Sequence, residues 1–180
     1  MSLRAMPVPL TELSGKFYRT ISVNQIDRVL APPTPQSAGR YHRHGQRALY
    51  MSPNLDWARR AVSGYMREDM KPRYVFTLDV IGARVFDQRN LMSCRDIGVD
   101  RDLSNRPWRP ALNEGKEPDS WQISDQIREL DADGLIDVSR HIPGGWHLVL
   151  FRWNAFGGPV VRVSGGPKTV HPNQSGPKWS

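Results

Sequence analysis

The chain has 180 residues, of which 38% are hydrophobic and 24% are charged, a length that suits one domain with a sizeable core. Its net charge of +7 divides into +5 over residues 1–53, −2 over 54–140 and +4 over 141–180. If the two basic ends meet in the fold, they form one positive face that attracts a nucleotide, a nucleic acid backbone or an acidic partner protein. Composition does not choose among these three.

The single cysteine, Cys94, excludes an internal disulfide framework and a multi-cysteine zinc site, and it fits a reducing compartment. No apolar run approaches the roughly 20 residues that a membrane span requires. Residues 1–13 show no apolar core of a signal peptide. We therefore expect a cytoplasmic protein.

The first third of the chain predicts two short strands separated by loops. Residues 1–14 are expected to form a loop or leader, and the alternation over Lys16–Ile21 predicts a strand. Three prolines within residues 31–37 predict an extended loop. The basic stretch 39–52 follows, and a short strand is predicted within it, over 47–51.

Helical and strand patterns then alternate. Ser52 as N-cap and Pro53 at the first helical position predict a helix, which carries an apolar stripe as far as Met66. The β-branched and aromatic residues of Tyr74–Ile81 predict a strand that continues after a break at Gly82.

The remainder of the chain predicts one further helix and several strands. Residues 88–118 predict a solvated surface with short helical turns, and a second helix is predicted over Ser120–Leu130 with Ser120 as its cap. After a turn at Asp133-Gly134, three strands are predicted, of which the last two form a hairpin: Leu135–Ser139, Trp146–Trp153 and Pro159–Ser164. These elements predict an α+β fold, a single domain with a mixed, largely antiparallel split sheet and a few helices.

The basic stretch carries the residues best suited to an anionic ligand. Arg40, Arg43 and Arg47 bring three permanent charges, and Tyr41 and Tyr50 lie beside them. A guanidinium binds phosphate through two parallel hydrogen bonds, and an aromatic ring can stack on a base or a pyridine ring. The alternative is a solvated basic turn that leads into a core strand.

Other familiar catalytic and binding patterns are absent from the sequence. There is no glycine-rich phosphate loop, and His42 and His44 have no third ligand nearby, so no metal is expected. A triad of Ser139, His141 and Asp137 is disfavoured because residues this close in sequence rarely point at one another.

The order of these pieces resembles the RES-domain family, the toxin halves of bacterial toxin–antitoxin pairs named after an arginine, a glutamate and a serine. The resemblance runs from about residue 17 to 153, within a domain expected over 1–164 and followed by a flexible tail over 165–180. Its anchors are Phe17–Thr20, Gly39-Arg40, Ala48–Met51, Ala83–Asp87, Ile97–Asp100, and Asp133–Ser139 followed by Pro143-Gly144.

The resemblance implies a fold similar to ADP-ribosyltransferases and a protein that uses NAD as its substrate, cleaving the nicotinamide–ribose bond with water or phosphate. The family arginine, tyrosine and serine correspond to Arg40, Tyr50 and Ser139, and Arg43 joins them in NAD binding. Arg40 would hold the pyrophosphate, Tyr50 would stack on nicotinamide or orient the ribose, and Ser139 would position the ribose or the carboxamide. It also implies a cognate antitoxin protein as partner.

The chain departs from the family at the glutamate, where it has Ala61. The nearest replacement is Glu68, about two helical turns further on, which would need a shifted helix or a bulge. Alternatively, an acid from elsewhere, such as Asp56 or Glu129, enters the site, or catalysis is impaired. The missing carboxylate matters because it would stabilise the oxocarbenium-like state of the cleavage.

Three further interpretations stay open beside the NAD-depleting toxin. The chain could be a degenerate binder of NAD or another nucleotide, which Ala61 favours, or an ADP-ribosyltransferase that acts on a protein. A basic nucleic-acid-binding module is disfavoured because the sequence shows no recognition helix and no aromatic–basic stacking platform. Contact with nucleic acid is therefore expected only through an antitoxin.

Overall fold

The computed structural model describes residues 10–172, which form six strands, five α-helices and a short 3₁₀ helix at Val23–Arg28. The strands are β1 (Thr11–Ser22), β2 (Leu49–Met51), β3 (Arg73–Asp87), β4 (Gly134–Val138), β5 (Trp146–Leu150) and β6 (Val160–Val170). The helices are α1 (Leu55–Asp69), α2 (Leu91–Asp96), α3 (Arg101–Asn105), α4 (Trp108–Asn113) and α5 (Asp119–Glu129). The predicted α+β class is confirmed.

The long strand β3 organises the sheet. On one edge it pairs antiparallel with β1 along almost its whole length. On the other edge its first part pairs antiparallel with β6, and its last three residues pair parallel with β4. The sheet therefore splits along this edge, because two different strands share it. The order β1-β3-β4-β5-β2 continues through antiparallel pairs of β4 with β5 and of β5 with β2.

The two outer strands of this path meet at a single backbone bridge. The amide of Tyr18 donates to the carbonyl of Ser52 at 2.8 Å, and the amide of Ser52 donates to the carbonyl of Tyr18 at 2.9 Å. This bridge brings the residue that follows β2 against the middle of β1, so the sheet curves and encloses an apolar core on its inner face.

Side chains alternate between two cores along β4 and β5. Ile136, Leu148 and Leu150 point into the inner core. Leu135 and Val149 point to the opposite face, into a second core. Helix α5 covers this second face with buried residues that include Ile123 and Ile127.

Several local expectations need correction. Residues 11–14 belong to β1 rather than to a leader, and residues 165–170 complete β6 instead of starting a flexible tail. The predicted hairpin of residues 146–153 with 159–164 does not form, because β5 lies between β4 and β2 while β6 pairs with β3. Residues 1–9 and 173–180 lie outside the described part of the chain.

The helix starts also differ from the predicted ones. Helix α1 is capped by Asn54, whose side chain accepts from the amide of Trp57 at 2.9 Å, and Ser52 instead forms the bridge to β1. Pro118 occupies the cap position of α5, so the hydroxyl of Ser120 is free to bond elsewhere.

Candidate functional site

A tight turn at residues 39–42 presents Arg40 and Tyr41. The amide of Gly39 donates to the carbonyl of His42 at 3.0 Å, and the reverse bond spans 3.4 Å. Helix α5 holds this turn from outside. Ser120 Oγ donates to the carbonyl of Arg40 at 2.6 Å, and Trp121 Nε1 donates to the carbonyl of Gly39 at 2.8 Å. The backbone that carries Arg40 is therefore fixed by the fold.

Tyr50 closes the inner side of this turn. Its hydroxyl accepts from the amide of Tyr41 at 3.0 Å and lies 2.8 Å from His42 Nδ1. Gly39 is required here because a Cβ at this position would lie 2.4 Å from the His42 ring and 3.0 Å from the Tyr50 hydroxyl. The glycine thus lets the imidazole, the phenol and the turn pack against one another.

Both rings of this contact are neutral near pH 7. Burial lowers the pKa of His42 to about 4, with further lowering by the charges of Arg128 and His44. Burial also raises the pKa of Tyr50 well above its usual value. The Tyr50 hydroxyl therefore keeps its proton and serves as a hydrogen-bonding group rather than as a base.

A polar row crosses three strands beside the turn. In the sheet register Asp137 of β4 lies opposite His147 of β5. On the other side of β5, the Oγ of Ser52, the residue that follows β2, lies 2.8 Å from His147 Nδ1. The neighbouring row on the same face consists of Leu135, Val149 and Tyr50. Because paired residues of antiparallel strands project to the same side, the polar row continues the face that α5 covers.

The turn and the polar row are joined by one short bond. The hydroxyl of Tyr41 donates to Asp137 Oδ1 at 2.5 Å, and both residues are buried. Burial raises the pKa of Asp137 to about 6, while the charge of Arg40 and the bond from Tyr41 act in the opposite direction. Burial lowers the pKa of His147 to about 4, assisted by Arg40 and His141.

Arg40 is the cation of this cluster. Its guanidinium donates to the backbone carbonyl of Ser104 at 3.0 Å, and its charge acts on both Asp137 and His147. The side chain is partly exposed and makes no ion pair within residues 10–172. An arginine without a paired carboxylate, set in a rigid turn, is suited to bind an anionic group of a ligand.

Comparison with known families matches the RES-domain model to residues 16–171. The chain belongs to the RES-domain family. No curated protein matches the chain at a significant level. Among solved structures, it is similar to the M. tuberculosis MbcT-MbcA toxin–antitoxin complex, with a TM-score of 0.55 and 15% identity over 90% of this chain and 86% of that one. At this identity the likeness shows a shared fold, and the family predicted from the sequence is confirmed.

Arg40, Tyr50 and Ser139 are the residues that the sequence resemblance predicts for the RES arginine, tyrosine and serine. Arg40 and Tyr50 meet through the turn, as described above. Ser139 follows Asp137 by two positions at the end of β4, and its Oγ accepts from the amides of His141 and Ile142 at 3.4 and 3.2 Å. The serine hydroxyl therefore accepts two hydrogen bonds within a turn, and within residues 10–172 no hydrogen bond uses its own proton.

Two other predicted residues have different partners. Arg43 pairs with Glu117 at 2.5 Å and with Asp125 at 2.7 Å, so its charge is neutralised beside α5. Glu68 lies near the end of α1, 66% exposed, and pairs with Arg109 at 3.3 Å. None of the hydrogen bonds or ion pairs of Glu68 in the described chain links it to Arg40 or the polar row.

The sequence brought Asp137 to notice only in a disfavoured triad with Ser139 and His141, and the polar row was not predicted. Asp137 and His147 are ordinary strand residues until the register of β4 with β5 sets them opposite one another. The one signal in the sequence was the alternation over 135–139, which places the side chains of Asp137 and Ser139 on one face. Among residues 10–172, no group of three His, Cys, Asp or Glu side chains is arranged to hold a metal ion, and no described helix is long and apolar enough to cross a membrane.

We expect the stability of the protein to fall as the pH is lowered from 6.5 to 4. His42 and His147 have pKa values near 4 when folded and 6.5 when unfolded, so the folded state binds fewer protons in this window. Asp137 acts in the opposite sense between its unfolded value of 3.8 and about 6. Because two histidines act in one direction and one aspartate in the other, the free energy of unfolding should fall by about 1.4 kcal/mol for each unit by which the pH is lowered.

Urea unfolding at pH 6.5, 5.5 and 4.5 measures this slope. The variant H147N removes one of the two histidines and should roughly cancel the slope between pH 4.5 and 5.5. A free energy of unfolding that is constant over this range in the unaltered protein would contradict the assignment of two buried neutral histidines.

Proposed function

We propose that this chain is a RES-type toxin that acts in the cytoplasm and depletes NAD by cleaving the bond between nicotinamide and ribose. The observation that carries the proposal is the cluster in which Arg40 and Tyr50 meet at one turn, with Ser139 two residues beyond the Asp137 that bonds to Tyr41 of this turn. Arg40 is set in a rigid turn without an ion-pair partner in the described chain, and Tyr50 is a neutral phenol beside it. A dinucleotide has a pyrophosphate that Arg40 could bind and a pyridine ring or ribose that Tyr50 could contact.

The reaction needs little from the protein beyond binding and charge stabilisation. The bond between N1 of the nicotinamide ring and C1′ of the ribose breaks, and its electron pair leaves with the ring, which becomes neutral nicotinamide. The sugar passes through an oxocarbenium-like state that water attacks, giving ADP-ribose and one proton. With inorganic phosphate as acceptor, the product is the ribose 1-phosphate ester. Residues that favour positive charge on the sugar accelerate either route.

Membership of the RES family and the fold shared with MbcT support the toxin part of the proposal. MbcT was solved as a toxin–antitoxin complex with MbcA. We propose by analogy that a cognate antitoxin holds this chain inactive. Its net charge of +7 suits an acidic partner segment.

A second candidate is a degenerate protein that binds NAD or another nucleotide without cleaving it. Ala61 favours this candidate, because the position of the family glutamate carries no carboxylate. Ala61 is exposed on α1, so Ala61→Glu introduces no buried charge and should fold normally.

The test is the amount of NAD against time with purified protein, with nicotinamide measured in the same samples. We expect loss of NAD matched by release of nicotinamide. Added phosphate distinguishes the two acceptors by the product formed, and a labelled protein band would indicate an ADP-ribosyltransferase instead. Saturable binding without turnover would favour the degenerate binder and make Ala61→Glu the next variant. Absence of both binding and turnover would overturn the proposal.

A further inference from the structure

In the proposed cleavage a carboxylate would stabilise the positive charge on the ribose, and the family position does not supply one. Ala61 stands where the family has its glutamate, and Glu68 is exposed and paired with Arg109. The acids Asp56 and Glu129 are exposed as well, and Asp56 pairs with Arg60 on its own helix. If the site is active, its carboxylate must come from another part of the fold.

Two carboxylates are buried among residues 10–172, and only one of them has an oxygen that accepts no hydrogen bond within the described chain. Asp133 bonds through one oxygen to Arg152 and through the other to the amide of Arg84 at 2.7 Å, so it is fully used in the fold. Asp137 accepts from Tyr41 through Oδ1, and in the described chain no hydrogen bond reaches its Oδ2. Asp137 is buried, although its exposed fraction of 7% is larger than the 1% of Asp133.

The surroundings of Asp137 are those of a functional carboxylate. From the turn it faces the cation of Arg40 and the neutral phenol of Tyr41, and from β5 it faces the neutral ring of His147. His141, in the loop after β4, adds its influence on His147. No positive group is bonded to Asp137, so its negative charge is not cancelled by a salt bridge within residues 10–172.

On the basis of the proposed function, we propose that Asp137 is the catalytic carboxylate of this RES domain and takes the role of the family glutamate through contact of its Oδ2 with the bound ribose. Oδ2 would accept a ribose hydroxyl and favour the positive charge that develops on the sugar as nicotinamide leaves. Tyr41 would fix the carboxylate in place through Oδ1. Arg40, on the same side, would hold the pyrophosphate of the same molecule.

The experiment compares kcat and KM for NAD in the unaltered protein, D137N and Y41F. D137N keeps an oxygen that can accept from Tyr41 and removes the charge, so the fold should persist, as thermal unfolding checks. We expect kcat to fall about 10²–10³-fold with KM changed by only a few-fold. Y41F keeps the carboxylate and removes only the donor, so its kcat should fall less than about 10-fold.

The pH profile separates a catalytic from a structural role. In the unaltered protein kcat/KM should fall on the acid side with an apparent pKa near 6, because Asp137 must be ionised to act. This acid limb should vanish in the residual activity of D137N. The exposed carboxylate of Asp79, paired with Lys16 at 2.8 Å on the sheet, provides the control variant D79N, which should leave both kcat and the profile unchanged.

The outcomes distinguish this inference from the proposed function. An active protein in which D137N keeps kcat within about threefold and retains the acid limb would overturn the role of Asp137 alone. Equal losses of kcat in D137N and Y41F would show that Asp137 serves only to hold Tyr41, which also overturns it. A protein that neither binds nor consumes NAD would overturn the proposed function itself.

Discussion

Arg40→Ala is expected to lower kcat/KM for NAD by about 10²–10³-fold, because the variant removes the cation that would hold the pyrophosphate. The backbone of the turn should survive, since its bonds come from Ser120, Trp121 and His42 rather than from the guanidinium. The side chain loses one bond, to the carbonyl of Ser104, so a small change in unfolding free energy is expected. Steady-state kinetics together with NAD binding by calorimetry measure the effect.

Two companion variants make this result specific. Arg40→Lys keeps the charge but loses the planar guanidinium that can donate two parallel hydrogen bonds. Its kcat/KM should therefore lie between those of the unaltered protein and the alanine variant. Arg47→Ala removes the same charge from the same basic stretch, where the exposed Arg47 stacks on Trp153 at 4.2 Å. Its activity should stay near that of the unaltered protein. Equal losses in Arg40→Ala and Arg47→Ala would indicate a general effect of net charge instead of a contact.

Local sequence patterns predicted the helices and the long strand, whose formation depends mainly on residues close together in the chain. The strand predicted at Tyr74–Ile81, with its continuation to Asp87, is one strand, β3. Gly82, with a positive φ of 71°, lies at an irregularity where the register with β1 shifts between Leu13 and Gly15, and the pairing resumes beyond it. The apolar stripes of α1 and α5 predicted both helices within a few residues. Both predicted caps were wrong, since Asn54 rather than Ser52 caps α1 and Pro118 rather than Ser120 occupies the cap position of α5.

Pairing between distant strands could not be predicted in the same way. The glycines at 157–158 look like the turn of a hairpin, yet β5 has β4 and β2 on its edges and β6 pairs with β3. Which strands meet depends on the packing of the whole sheet rather than on the turn between them. The residues of the site also divide into those that local sequence predicts and those that depend on strand pairing. Arg40 and Tyr50 could be named from a contiguous stretch, whereas Asp137 and His147 become neighbours only through the register of the sheet.

Ser120 illustrates how a correct residue can receive the wrong role. Its position before an apolar stripe predicts an N-cap, but the helix begins one residue earlier, after Pro118. The hydroxyl instead donates to the carbonyl of Arg40 at 2.6 Å. A helix terminus predicted for local reasons thus serves to fix the turn of the site, a contact between residues 80 positions apart.

Gly134→Ala is expected to lower the unfolding free energy by about 3 kcal/mol or more. The sequence places Gly134 in a turn, but the structure places it in β4, where it pairs with Val85 of β3 and Leu150 of β5. A Cβ here would lie 2.1 Å from the carbonyl oxygen of Val149 and 2.8 Å from the Cα of Leu150. Both are backbone atoms, so the clash cannot be relieved by rotating a side chain, and β4 must move away from β5.

Gly64→Ala is the matched control for this clash. Gly64 lies inside α1, and a methyl group added there would meet no neighbouring atom within 4 Å, so alanine should stabilise the protein by about 0.5–1 kcal/mol. Thermal unfolding should separate the two variants, because the midpoint temperature of Gly134→Ala should lie roughly 6–12 °C below that of the unaltered protein. Because Gly134 begins the strand that carries Asp137 and leads to Ser139, activity should fall in Gly134→Ala even at temperatures where it remains folded. An unfolding temperature equal to that of Gly64→Ala would contradict the close approach of β4 and β5, and with it the register that forms the polar row.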